Sequence, residues 1–99
     1  MAIRMQRSSG NVFTDMGFPR EEAAHLLIRT DLMIQLTELI AERGLTQKQA
    51  AKALGVTQPR ISDLVRGRIE LFSIDTLVDM LSRLGVAVTL KTKRRSRVA

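Results

Sequence analysis

Between residues 57 and 68 the chain reads TQPRISDLVRGR, and its polar groups are of the kinds that bond to base edges and phosphates. Gln58 carries an amide, Thr57 and Ser62 carry hydroxyls, and Arg60, Arg66 and Arg68 carry guanidinium forks, with Asp63 as the lone carboxylate. Such groups act together only if a rigid element aims them the same way. At helical spacing Gln58, Pro59, Ser62, Asp63 and Arg66 share one face, while Ile61, Leu64 and Val65 return to a core. An idle surface helix would show a Glu/Lys mixture in place of these groups.

The residues just upstream supply the frame. Thr46 with Gln49 three positions later forms a capping box, which starts a helix that turns Ala50, Ala51 and Leu54 inward. Gly55 ends it, because the turn needs a residue that enters the left-handed region without strain. Val56 packs inward, Thr57 caps the second helix, Gly67 ends it, and Ala51 is small where the two helices cross. The spacing predicts a helix-turn-helix, which places its second helix in the major groove of double-stranded DNA.

With 99 residues the chain is one domain with one modest core. It has no cysteine, which excludes disulfides, thiolate metal sites and a thiol nucleophile and suits a reducing cytoplasm. No apolar run is long enough to span a membrane, and the start MAIRMQRSSG has no apolar segment of a secretory signal. The net charge is +6, unevenly placed. Residues 1–45 hold five basic and six acidic side chains, residues 46–68 five and one, residues 69–90 one and three, and residues 91–99 five and none. A polyanion is therefore attracted to the 46–68 window and to the tail KTKRRSRVA, which is either a solubilising end or a DNA-contacting arm. Catalytic and metal chemistry are not expected. His25 is the single histidine, Glu21 and Glu22 point different ways, and Met16, Met33 and Met80 read as core fillers. No cofactor is implied.

Along the chain, residues 1–10 read as a disordered tail, residues 11–92 as the domain and residues 93–99 as a basic disordered tail. Asn11, Val12 and Phe13 suggest a short extended piece. Pro19 at a first helical position, with Glu21 and Glu22 after it, opens one long helix that runs to Arg43 and stops at Gly44, with Thr30-Asp31 as the candidate kink. Residues 69–72 form a connecting loop that tucks Leu71 or Phe72 under the core. Ser73 caps a further helix with Ile74, Leu77, Val78, Leu81 and Leu84 at helical spacing, closed by Gly85. Residues 86–92 then alternate as a strand does. A lone strand needs a partner, either Val12-Phe13, the same strand of a second copy, or another protein. Pairing between two copies would make Val86, Val88 and Leu90 dimer contacts. The fold class is mainly α, a bundle of four to five helices with a C-terminal β-strand.

Three segments, the leader NVFTDMGF before an acidic helix start, the run GLTQKQAAKALGVTQPRISDLVRGRIELFSIDTLVDMLSRLG, and the closing valine-rich strand, resemble the Cro and phage-repressor (XRE-type) class, and within it the HigA-type antitoxin branch. The resemblance covers about residues 11–92. It implies a lambda-repressor-like bundle, a homodimer that represses its own operon from a palindromic operator, and a RelE-like toxin as partner. Carried over, it implies that Gln47 touches phosphate and that Gln58 reads a base, an amide being able to pair with adenine N6 and N7. Two positions depart from the phage repressors. Pro59 offers only apolar contact, and Asp63 either accepts from a cytosine N4 group or holds the Arg60 guanidinium, the second being favoured because a bare carboxylate near phosphates is costly. Thr46 belongs to the same face, Arg66 and Arg68 suit phosphates, and Lys48 and Lys52 read as solvated. The rival reading is a protein-interaction module that neutralises a partner toxin without reading DNA. For such a partner, the leader with Val12, Phe13 and Phe18 and the acidic Glu21 and Glu22 are the candidate surface.

Overall fold

The computed structural model describes Ala2–Arg4 and residues 12–94. The order is β1 (Ala2–Arg4), α1 (Val12–Asp15), α2 (Arg20–Glu42), α3 (Gln47–Leu54), α4 (Gln58–Val65), a 3-10 turn (Ile69–Leu71), α5 (Ile74–Arg83) and β2 (Ala87–Thr89). The mainly helical architecture with a C-terminal strand is the one expected. β1 and β2 pair in parallel, with Ala2 opposite Ala87, Ile3 opposite Val88 and Arg4 opposite Thr89. The helices between them serve as the crossover that parallel pairing requires.

α2 runs unbroken through Thr30 and Asp31 for 23 residues, with Glu21 and Glu22 in its first turn, where the helix dipole favours negative charge. Pro19 is one position further out than expected. Its ψ of 150° is extended, and its carbonyl accepts the Ala23 N–H at 2.8 Å, so it stands at the cap and the helix begins at Arg20. The inner stripe of α2, Leu32, Met33, Leu36, Leu39 and Ile40, packs with Ala50, Ala51 and Leu54 of α3, Ile61 and Leu64 of α4, and Leu77, Met80 and Leu81 of α5. Phe72, 1% exposed, is the large side chain that the 3-10 turn delivers into this core, while Leu71 stays outside. No polar or charged side chain is buried among the described residues, so the interior is held by apolar burial at about 1.5–3 kcal/mol per large side chain.

Several expectations need correction. Val12 and Phe13 are helical; the apolar pair is too short to distinguish the two periods. Phe13 and Phe18 meet edge to face at 6.0 Å, which closes the leader on itself. That contact uses the one face a single turn can bury, and Met16 is left 66% exposed instead of filling the core. Val65 is 44% exposed. At about 100° per residue it stands some 70° off the line bisecting Ile61 and Leu64, which is enough to take it out of the interior. Within the chain the strand partner is β1 and not Val12-Phe13. Its three residues carry too little alternation to read as a strand, and they fall within the stretch that reads as a loose tail. The strand itself ends at Thr89. Of the expected C-terminal tail, residues 95–99 lie outside the described residues.

Candidate nucleic-acid interface

The frame forms as its local signals require. Thr46 Oγ1 accepts the Gln49 N–H at 3.1 Å and Gln49 Oε1 accepts the Thr46 N–H at 2.9 Å, completing the capping box. Gly55 takes φ 69° and ψ 33°, and the Val56 N–H reaches back to the Ala51 carbonyl at 3.0 Å. Arg83 of α5 lies over this turn, with Nη1 3.1 Å from where a Cβ on residue 55 would stand.

Thr57 holds the cap position of α4 in extended conformation, but its hydroxyl makes no capping bond. A cap side chain bonds the N–H of the second or third helical residue; Pro59 has none, and the Arg60 N–H is taken by the Thr57 carbonyl at 3.1 Å. The Thr57 hydroxyl therefore stands exposed beside exposed Gln58 and Pro59 at the start of α4. Ser62 and Asp63 are half-buried, and Arg66, at the end of the helix, is exposed. On α3, Thr46, Gln47, Lys48 and Lys52 are exposed.

Arg60 does not join this face. Its Nη1 donates to the Leu71 carbonyl at 2.8 Å, and its Cζ lies 4.1 Å from the centroid of the Phe72 ring. The expected Arg60–Asp63 pair is therefore not formed, since the ring and carbonyl offer the guanidinium a stacked, partly desolvated seat. Asp63 acts on a different arginine: with Glu70, whose hydrogen bond and charge come first, its own charge pushes the Arg68 guanidinium pKa up. Arg68 Nε donates to Glu70 Oε2 at 2.9 Å, and this bond holds the Glu70 carboxyl below the usual glutamate range. Both side chains are open to solvent, so the pair adds little to stability. It does place a negative group against Arg68, one of the arginines expected to meet phosphate.

Sequence reasoning missed Glu70 and the grip on the 3-10 turn. Arg29 Nη1 of α2 donates to the Ile69 carbonyl at 3.3 Å, so the turn is held from a second helix besides α4. These contacts span 40 and 11 residues and have no periodic signal. Among the described residues no group of three or more His, Asp or Glu side chains is disposed to hold a metal ion, and no helix is long and apolar enough to cross a membrane.

A family model for the helix-turn-helix domain matches residues 12–93. A solved structure named as a putative XRE-family transcriptional regulator is 32% identical, covers 79% of this chain and 90% of its own, and superposes with a TM-score of 0.70. The chain belongs to the XRE family of helix-turn-helix proteins. No curated protein matches it at a significant level. In a helix-turn-helix the second helix is the one that enters the major groove and the first crosses the backbone; in this chain those positions fall to α4 and α3.

Proposed function

We propose that the protein is a sequence-specific transcriptional repressor that binds a palindromic double-stranded operator as a homodimer, and that it is the antitoxin of a toxin–antitoxin pair. The carrying observation is the uncommitted polar start of α4. Gln58 is exposed beside a Thr57 hydroxyl that makes no capping bond. In this reading the Gln58 amide bonds an adenine edge and Pro59 packs on a thymine methyl. Thr46, Gln47, Thr57, Ser62, Arg66 and Arg68 anchor the backbone, with Arg68 held by Glu70. Enrichment of duplexes from a random library, followed by footprinting, tests it. A two-fold site with halves roughly 34–36 Å apart supports the reading, and failure to enrich any sequence removes it.

For the dimer, Val86 is buried in the core of its own chain and Val88 packs against it, so of the three strand residues Leu90, 72% exposed, is the one left to meet a second copy. Light scattering on Leu90→Asp tests this, and an intact dimer moves the contact elsewhere. The antitoxin role has its own support in the leader. Val12 and Met16, one helical turn apart, are 55% and 66% exposed, and Asp15, Glu21 and Glu22 of the same stretch of chain are exposed as well. This apolar and acidic surface suits a basic, RNA-cleaving toxin of the RelE-like kind. Val12→Ser with Met16→Ser should abolish co-purification of such a partner while sparing DNA binding; undiminished retention excludes the leader.

A further inference from the structure

We propose that Arg60 is a positioning residue: it locks α4 to the 3-10 turn beyond it, so that Gln58 and Arg68 are aimed as one unit, and it does not itself touch DNA. The inference rests on the DNA-binding reading and assigns within it a role that the residue's charge conceals.

The geometry excludes Arg60 from the face that Gln58 occupies. Two residues along a helix turn a side chain through about 200°, which puts Arg60 nearly opposite Gln58. There the guanidinium is doubly engaged. Its Cζ sits 4.1 Å from the centroid of Phe72, and Nη1 donates to the Leu71 carbonyl at 2.8 Å. Phe72 is itself 1% exposed, so the platform under the guanidinium is fixed by the core. The same turn is held from α2 by Arg29, whose Nη1 reaches the Ile69 carbonyl at 3.3 Å. Two arginines from two helices thus satisfy two carbonyls of a three-residue turn. Arg68 caps that turn and Glu70 lies within it, the pair joined at 2.9 Å. Because Arg60 lies in the first half of α4 and grips the segment beyond its C-terminal end, the base-facing start of the helix and the phosphate-facing arginine become one rigid body. Preorganisation of this kind improves binding where several contacts must register together and does nothing for loose electrostatic binding.

Arg60→Lys and Arg60→Met separate the possibilities. Lys keeps the charge but loses the planar fork, and Met keeps the volume alone. The probes are a duplex enriched from a random library by the wild-type chain and a scrambled duplex of the same composition, each titrated across a salt series. Both variants should lose about tenfold on the enriched duplex, stay within about twofold of wild type on the scrambled one, and keep the wild-type salt slope. Without DNA, the Arg60 side-chain protons should be shifted upfield by the Phe72 ring. Full operator affinity in Arg60→Lys would show that charge alone suffices and overturn the proposal. So would a slope reduced by about one unit, which marks a phosphate contact, or an Arg60 proton signal with no ring shift. If Arg60→Met does not fold, Arg60→Lys decides. A wild-type chain that enriches no duplex overturns the DNA reading before any variant is made, and the proposal falls with it.

Discussion

Replacing Gly55 by Ala isolates the turn on which the geometry of the motif depends. The residue sits at φ 69° and ψ 33°, where an L side chain costs roughly 1–2 kcal/mol. Reduced freedom of the unfolded chain returns about 0.4–1 kcal/mol of that. The new Cβ would also meet Arg83 Nη1 at 3.1 Å and Cζ at 3.5 Å. This second term is small. The guanidinium is the end of a flexible side chain, 53% exposed and held by Asp79 at 3.3 Å, so it can swing aside. The net expectation is a loss of about 1 kcal/mol, or a fall in Tm of roughly 4–8 °C for a domain of this size. Urea denaturation followed by circular dichroism measures it, with Gly55→Asn as the control, since Asn tolerates the left-handed region and should lose about half as much. Alanine stability at or above wild type, or an Asn variant as damaged as the Ala variant, would refute the backbone argument. A loss that disappears in an Arg83→Ala background would move the cause from the backbone to the contact.

Thr46→Ala should cost about 1 kcal/mol by removing the capping box, whereas Thr57→Ala should change stability by no more than a few tenths, because its hydroxyl caps nothing; equal losses in denaturation would contradict that difference between the two caps. Arg66→Ala and Arg68→Ala should weaken binding to all duplexes and flatten the salt dependence by about one unit each, and an unchanged slope places that arginine away from phosphate. Glu70→Gln should raise affinity for scrambled DNA at low salt by freeing Arg68, and unchanged affinity would show that the pair is already displaced by DNA. Protonation is tied to the same bond: the Glu70 carboxyl, held low by Arg68, should titrate below the usual glutamate range and return upward in Arg68→Ala, so the tie is present near neutral pH and lost as pH falls through that lowered value.

The parts of this structure that were legible in the sequence are those whose cause is local. The capping box at Thr46 and Gln49, the left-handed Gly55, the Ser73 cap and the stripe from Leu32 to Ile40 each depend on residues within a turn or two of one another. What escaped depends on tertiary neighbours. Arg60 looks like a partner for Asp63 three residues on until the fold brings Leu71 and Phe72 beneath it. Val65 and Met16 are apolar residues whose exposure is decided by which neighbours claim the interior first. β1 is too short for its period to show, and its partner is more than eighty residues away.

If α4 reads sequence, it does so through Gln58, the exposed amide at its groove-facing start. The most direct test is Gln58→Ala, titrated in parallel on the enriched duplex and on a scrambled one at fixed salt. A base-reading amide predicts a loss on the order of 1–3 kcal/mol on the enriched duplex and almost none on the scrambled one. Equal losses on both, or none on either, would contradict it.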